Sequence, residues 1–524
     1  MGMKSIAAAH DLISTGIKGF TGLEEFRRLK TRKALTVDAA NRLSVEAASS
    51  FMSHYLATGG YLEDAITLLC EIATLKEERL AKPGLKGIFP LIVERLSDSF
   101  NPECCSLYDR AFVQVVEFCR HLPVGSILNK KLRHFGLMIG QDLLERKKRI
   151  KDREGKFNSA LRPIVKKVFV LSRVTLGADV ALTSLFMAKM KRVFTNAELV
   201  LFGSSRMRQL FGGDPRVRVC EVPYERSGGL IERLGSWLEL VDALDHEKRG
   251  LRPEEYLIVD SDSRFTQLGL LPLVEDESRY YFFESRGYRK SGIGCISQLA
   301  LNWLNEHFDV DEELYPYVSL VHEDRDFAKR FCQKLRSRKI DYLVGINFGV
   351  GNNNHKRIQD PFEERLILTL LDEGNVVILD KGCGTEEISR ANRLIGKFRA
   401  KGEIVLEINE SNASNALQKE LNHVDVVVWE GSIGLFSALI AETNEYIGYD
   451  SAGQHIAAAL EVPTIDIFAD SNHPLFFERW RPYGKGIVEV VRADTTNLSG
   501  EQMDLDQILD DVMTYHRKIK EGWF

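Results

Sequence analysis

From about residue 165 onward the sequence alternates short β-branched or aromatic runs with stretches whose apolar residues recur every three or four positions. No other feature constrains the fold as tightly. Strands that alternate with amphipathic helices predict parallel sheets covered on both faces. The runs fall into two series. The first holds VFVLSRV (168–174), ELVLFG (198–203), VRVCEV (217–222), YLIVDS (256–261) and YYFFES (280–285). The second holds YLVGINF (342–348), NVVILDK (375–381), EIVLEIN (403–409), DVVVWE (425–430), EYIGYD (445–450), TIDIF (464–468) and IVEVV (487–491). Twelve strands exceed one compact α/β unit, and a charged, helix-like segment, Asp324–Lys339, separates the series. The pattern predicts two Rossmann-like domains facing each other, with a ligand cleft at the carboxyl ends of the strands.

The first 160 residues read differently. Helical periodicity covers segments near 38–57, 61–80, 103–121 and 129–154, and Leu62, Ile66, Leu69, Ile72 and Leu75 share one face. Gly59-Gly60 is placed to end one helix and Pro83-Gly84 to end another. A repeat of ~34 residues is not evident. The net charge of -5 is uneven. Residues 1–160 carry about +6 and the remainder about -11, which suggests two parts with different partners. Much of the basic excess lies in LERKKRIKDREGKF, 144–157. That run is expected to be a solvated helix end and linker, or else a contact for anionic headgroups or an acidic partner. No stretch approaches the ~18 apolar residues of a spanning helix, and the N-terminus lacks a secretory core and cleavage site. The eight cysteines, without a CxxC pair, point to reduced thiols in the cytosol and no structural metal.

Three places in the α/β region carry candidate chemistry. The first strand runs into SRVTLGADVALTS, 172–184, where Gly177 opens a helix and Asp179 sits at its start. A carboxylate there is either a helix cap or a general base at the cleft edge. The first strand of the second series runs into NFGVGNNNHKRI, 347–358. Gly349 and Gly351 allow tight turns, and Lys356 and Arg357 offer cations for phosphate oxygens. The third is DSAGQHIAAAL, 450–460, where a strand closes at Asp450 and Ser451, Ala452, Gly453, Gln454 and His455 open a helix. First-turn N–H groups at such a start favour an anion. Asp260-Ser261-Asp262 imitates a metal-binding DxD but closes a strand, and no His/Cys spacing indicates a metal site.

Taken together, these segments resemble glycosyltransferase family 9, the lipopolysaccharide heptosyltransferase family. LGADVALTS resembles the family's Leu-Gly-Asp-Val element, and NFGVGNNNHKRI its Asn-Pro-Gly…Lys-Arg-Trp loop. DSAGQHIAAAL resembles its Asp-Ser-Gly-Pro-x-His-x-Ala-Ala-Ala element, followed by a tail matched by Pro474, Trp480, Pro482 and Gly484. The resemblance covers 165–495. The chain departs from the pattern by one extra residue, Ala178, by Phe348 and Ile358 in the loop, and by Ala452-Gly453 where Gly-Pro is usual.

The resemblance implies a GT-B fold of two facing Rossmann-like domains, here preceded by an all-α domain. The expected domains are a helical 1–160, an acceptor domain 161–336, and a donor domain 337–524 with a C-terminal helix. The implied activity is inverting, metal-independent transfer of a sugar, a heptose among the candidates, from a nucleotide-diphosphate sugar to a cell-surface glycan or lipid-linked acceptor. Asp179 would be the base and Lys356 the cation at the departing diphosphate. Gly349, Gly351, Arg357, Asp450, Ser451, Ala452, Gly453 and His455 would line the donor site. Thr175, Gly177, Thr183 and Arg264 would line the acceptor site. No cofactor, metal or nucleic acid is expected. The expected setting is the bacterial cytoplasm, at or near the inner face of the membrane. An epimerase of the same fold and a non-catalytic binding module are the alternatives.

Overall fold

The computed structural model describes residues 20–153, 156–225, 228–309, 311–336, 342–351, 353, 356–469, 474–493 and 504–522. The N-terminal region is helical: α1 (Gly22–Thr31), α2 (Val37–Thr58), α3 (Glu63–Ala73), α4 (Glu78–Ile88), α5 (Pro102–Arg120), α6 (Ser126–His134) and α7 (Gly140–Lys151). Then strands and helices alternate. These are β1 (Lys167–Leu171), α8 (Ser184–Val193), β2 (Glu198–Gly203), α9 (Arg206–Phe211), β3 (Val217–Glu221), α10 (Leu230–Glu247), β4 (Tyr256–Asp260), β5 (Tyr280–Phe282), α11 (Ile296–His307) and α12 (His322–Leu335). The second series follows: β6 (Leu343–Asn347), α13 (Phe362–Asp372), β7 (Val376–Asp380), α14 (Thr385–Ala400), β8 (Val405–Asn409), β9 (Val426–Glu430), α15 (Ile433–Ala441), β10 (Glu445–Tyr449), α16 (Ala452–Ala459), β11 (Thr464–Ala469), α17 (Pro474–Trp480), β12 (Val488–Ala493) and α18 (Leu505–Glu521). Each β-branched run became a strand, and residues 324–335 of the charged separator lie in α12, its end from 337 lying outside the described residues.

The chain packs as two units. The described residues before 155 group with Val222–Arg289, and Lys156–Glu221 group with the described residues from Lys290 onward.

In the first unit, β4 and β5 pair in parallel. Two of the predicted helices are each broken in two. Residues 129–154 are interrupted at Gly136, whose φ of 74° leaves the helical region. Residues 61–80 break between Ala73 and Glu78. Pro83-Gly84, expected to stop a helix, lies inside α4. The pair serves packing instead: a Cβ on Gly84 would come within 2.4 Å of the Ala73 nitrogen on α3.

The basic run on α7 is a second correction. Arg146 and Lys147 are only 2% and 3% exposed, so they are neither a solvated face nor a free lipid contact. Lys147 Nζ pairs with Asp109 (2.7 Å) and Glu284 (3.2 Å). Arg146 donates to the Gly269 carbonyl (2.9 Å) and lies over the Tyr280 ring (5.3 Å). Arg149 reaches Glu277 (3.2 Å) and Lys151 reaches Glu284 (2.6 Å). The basic excess of the helical region is thus used to bind the acidic 269–284 stretch of its own unit.

The DxD carboxylates are likewise held by neighbours. Asp260 accepts from the Ser263 N–H, the Thr266 hydroxyl and the Tyr280 hydroxyl, each at 2.6 Å. Asp262 accepts from Ser285 (2.5 Å) and Arg286 (2.6 Å).

In the second unit, β3-β2-β1 form a parallel set. Its other sheet is seven-stranded and parallel, in the order β12-β11-β10-β6-β7-β9-β8. Alternate residues of that sheet face a core: Ile346, Leu379, Ile447, Ile465 and Ile467 pack with Leu366, Phe398 and Val512 of α13, α14 and α18. The opposite parity places Asn347, Asp380, Tyr446, Gly448 and Asp466 on the other face. Register puts Asp466, Gly448, Asn347 and Asp380 in one row across β11, β10, β6 and β7. Among the described residues, no helix is long and apolar enough to cross a membrane.

Candidate functional site

Two strand-to-helix turns meet in the second unit. The first leaves β1 and runs through Ser172, Arg173, Val174 and Thr175 into a short helical turn, Leu176–Ala178. It continues as a π-turn, Asp179–Thr183, in which the Ser184 N–H reaches back to the Asp179 carbonyl. The second leaves β10 through Asp450 and Ser451 into α16. Gly177 is where they touch. A Cβ there would lie 3.0 Å from His455 Cδ2, 3.3 Å from Ala452 Cα and 3.4 Å from the Ser451 carbonyl. A side chain would therefore force the turns apart.

Asp179 is 0% exposed. Its Oδ1 accepts from the Arg173 N–H (2.6 Å) and the Thr183 hydroxyl (2.8 Å), and its Oδ2 from the Ser172 hydroxyl (2.8 Å). Burial pushes the carboxyl up to about 6 against the opposing pull of these bonds. Thr183 is thus an Asp179 partner, and Thr175 is exposed, its carbonyl accepting the Asp179 N–H (2.8 Å). Arg264 lies in the other unit, half-buried, where its charge acts on Tyr108.

Lys356 and Asp450 form an ion pair at the foot of α16, and Lys356 Nζ also donates to the Asp450 carbonyl (3.4 Å). The Lys356 ammonium lies 5.1 Å from the Phe476 ring centroid. Asp450 Oδ1 accepts from Gln454 Nε2 (2.9 Å). His455 is buried, which lowers its pKa to about 4, so the ring is neutral at pH 7. It stacks edge-on to Trp480, with centroids 6.3 Å apart. Gly453 is required by Tyr446, whose hydroxyl lies 2.0 Å from where a Cβ would be. Ser451 and Ala452 complete the helix start.

The glycine-rich loop is arranged otherwise. The Gly349 N–H donates to Asn347 Oδ1 (2.7 Å), and the Gly351 N–H to Glu387 Oε1 (3.0 Å). Arg357 is bound to Glu363 (2.6 Å) and Asp360 (2.5 Å), pairs that organise the start of α13. Asn352, Asn354 and His355 lie outside the described residues. The structure thus gathers Gly177, Asp179 and Thr183 with Lys356, Asp450, Ser451, Ala452, Gly453 and His455. Arg357, Gly349 and Gly351 belong to neighbouring contacts.

Sequence reasoning missed Ser172 and Arg173, which hold Asp179, and missed Asp466 altogether. Arg173 is buried, with its guanidinium 5.7 Å from the Trp480 ring centroid. Asp466 is 0% exposed, and neither carboxyl oxygen has a hydrogen-bond partner among the described residues. Burial and the Asp450 charge raise it well above the usual carboxylate range. A charged residue inside the apolar run TIDIF was the available signal. Among the described residues, no group of three or more His, Cys, Asp or Glu side chains is placed to hold a metal ion.

Residues 393–504 match the family model of glycosyltransferase family 9 (heptosyltransferase). That segment contains α16 and the turn before it; Asp179 and Lys356 lie outside it. No curated protein matches the chain. Among solved structures, a glycosyl transferase family 9 protein from Veillonella parvula is similar at 14% identity and a TM-score of 0.50, over 69% of this chain and 99% of that one. ADP-heptose LPS heptosyltransferase II from E. coli is similar at 14% identity and a TM-score of 0.46, over 69% of this chain and 100% of that one. E. coli heptosyltransferase WaaC, solved with ADP, is similar at 14% identity and a TM-score of 0.44, over 67% and 99%. The first of these likenesses establishes the fold, two parallel α/β layers of the GT-B kind. In its C-terminal segment the chain is similar to glycosyltransferase family 9 (heptosyltransferase), and here that segment is preceded by the helices α1–α7.

Proposed function

We propose that the chain transfers a sugar, with heptose the first to test, from a nucleoside-diphosphate sugar to a hydroxyl of a cell-surface glycan or lipid-linked acceptor, inverting the anomeric carbon. The observation that carries this reading is the seat of Lys356 and Asp450 at the N-terminus of α16, with the Asp179 turn packed on that terminus. The donor's diphosphate lies against the α16 N–H groups, where helix partial charge favours an anion. Lys356 turns from Asp450 to the phosphate oxygens and offsets the charge that develops as the diphosphate leaves. Neutral His455 contributes a hydrogen bond without adding charge.

The acceptor oxygen attacks the anomeric carbon as its bond to the diphosphate breaks. The electron pair leaves with the nucleoside diphosphate, and the acceptor proton passes to Asp179. At pH 7 a carboxyl at about 6 is ionised, yet holds a proton more strongly than an ordinary aspartate. Oδ2 accepts one hydrogen bond where Oδ1 accepts two, so Oδ2 retains capacity for the acceptor hydroxyl. The acceptor reaches it when the turn lifts from α16. Gly177 packs closely enough to shut water out when the turn returns.

Thermal shift with ADP, UDP and GDP tests the donor assignment, since a ligand of the folded state raises stability by RT ln(1 + [L]/Kd). A rise with at least one of them is expected. No shift with any of the three would refute it.

A further inference from the structure

Use of Lys356 on a diphosphate has a consequence for Asp450. The pair is largely buried, with Asp450 at 5% exposure. When Lys356 leaves, Asp450 keeps, among the described residues, only the Gln454 amide (2.9 Å) as a side-chain donor. A buried carboxylate stripped of its cation is strongly disfavoured. Something on the protein has to take the place of Lys356.

Asp466 is placed to do so. Gly448 and Asp466 are register partners on β10 and β11, and paired residues of parallel strands share a face. Tyr446 and Gly448 precede Asp450 by four and two positions, so Asp450 continues the same side just past the strand end. Asp450 is then a diagonal neighbour of Asp466. With strands ~4.8 Å apart and a rise of ~3.3 Å per residue, such a neighbour sits ~8 Å away, a span two carboxyl side chains can bridge with one hydrogen bond. Gly448 has no side chain to stand between them. The Asp466 carboxyl is wholly buried, and among the described residues both of its oxygens lack partners. The charged groups that act on it are Asp450, from the turn before α16, and Lys356, from the loop after β6. Tyr446 of β10 feels the Asp466 charge, and Val490, opposite on β12, carries none. Burial without a partner and the neighbouring Asp450 charge favour the protonated form of Asp466, in which it is a hydrogen-bond donor.

We infer that Asp466 is a positioning residue of the donor site: its carboxylic O–H holds the Asp450 carboxylate when Lys356 turns to the diphosphate. The inference rests on the donor reading given above. Asp466 touches neither donor nor acceptor. It lowers the cost of releasing Lys356, so its effect falls on donor affinity. Its proton does not move to the substrate; it becomes shared between two carboxyl groups, one of which must stay protonated.

The test uses the full chain and whichever of ADP, UDP and GDP gives the largest thermal shift. Its Kd is measured by calorimetry from about pH 6 to about pH 9, beside the Tm of each protein. Asp466→Ala removes the donor and is expected to raise Kd ~10-fold or more at pH 7, while the Tm holds or rises because an unpartnered buried carboxyl is gone. Asp466→Asn restores an N–H donor and is expected to bring Kd back within ~3-fold of wild type. Wild-type Kd should rise toward alkaline pH as Asp466 ionises, and Asp466→Asn should lack that rise. A normal Kd for Asp466→Ala, or Kd for Asp466→Asn as weak as for Asp466→Ala, overturns the inference. Should Asp466→Ala not fold, the wild-type and Asp466→Asn pH profiles decide: identical profiles overturn it. Absence of binding to the wild type is a different failure, which removes the donor reading and this inference together.

Discussion

Asp179→Asn separates two jobs that the carboxylate could perform. Its three hydrogen bonds tie β1 to the π-turn, and Asn is nearly isosteric. The amide oxygen still accepts from the Arg173 N–H and Thr183, and the amide nitrogen faces Ser172, whose hydroxyl can rotate to accept. The clamp should survive. Charge does not. A pKa of about 6 in the folded chain, against ~3.9 for an unperturbed aspartate, means that holding this carboxylate ionised costs about 3 kcal/mol at pH 7. The direction follows from proton binding. Between ~3.9 and about 6 the folded state binds the proton more tightly than the unfolded state, so stability falls as pH rises through that window. The full contribution is present below ~3.9 and is absent above about 6. Asn cannot ionise and escapes the loss. Denaturant unfolding should therefore show Asp179→Asn as stable as wild type or up to about 3 kcal/mol more stable at pH 7, with the gap closing toward pH 4. Asp109 and Asp260, both near 6, titrate in the same window, so the difference between the two proteins is the quantity to read. Turnover of a nucleotide sugar should fall ~100-fold or more while donor binding is kept. Normal turnover in a stable Asp179→Asn would refute the base assignment and leave Asp179 as a clamp. A variant several kcal/mol less stable at pH 7 would refute the ledger, because the hydrogen bonds would then outweigh the burial cost.

Lys356→Ala should weaken nucleoside-diphosphate binding ~10-fold and slow transfer, read by calorimetry and product formation. Normal values would make the ion pair with Asp450 purely structural. Gly453→Ala drives a methyl into the Tyr446 hydroxyl and should cost about 1–3 kcal/mol, with Tyr446→Phe recovering part of it in the double variant. Lys147→Met leaves Asp109 and Glu284 buried without their shared cation and should cost about 3–5 kcal/mol. Exposed Lys148→Ala on the same helix should stay within about 0.5 kcal/mol of wild type in the same denaturant titration.

Strand placement was legible because it is local. A parallel strand buried on both faces is a β-branched run, and its ends lie where the run stops; the row from β6 to β12 illustrates this. The basic run at 146–149 illustrates the reverse. Nothing local distinguishes Arg146 and Lys147, which are buried, from Lys148, which is exposed. The distinction is made by Asp109, Glu277 and Glu284, which lie far along the chain. Pro83 misled for a related reason: a helix breaker by propensity is tolerated when close packing of α4 on α3 supplies the compensation.

The extra residue Ala178 joins the two levels. An insertion in a helix rotates all that follows by about 100° unless the helix absorbs it locally. Here the Asp179–Thr183 segment is a π-turn, which accommodates one additional residue within a single turn. The cost is confined to the turn, so α8 can keep its buried face of Leu185, Phe186 and Met190 while Gly177 keeps its contact with α16. Asp179 heads the widened turn, and Ser172, Arg173 and Thr183 bind its carboxylate from both sides of it. The sequence carried the insertion in plain view. The turn that absorbs it begins two residues after Gly177, which packs against a helix some 270 positions later, a contact the local sequence does not announce.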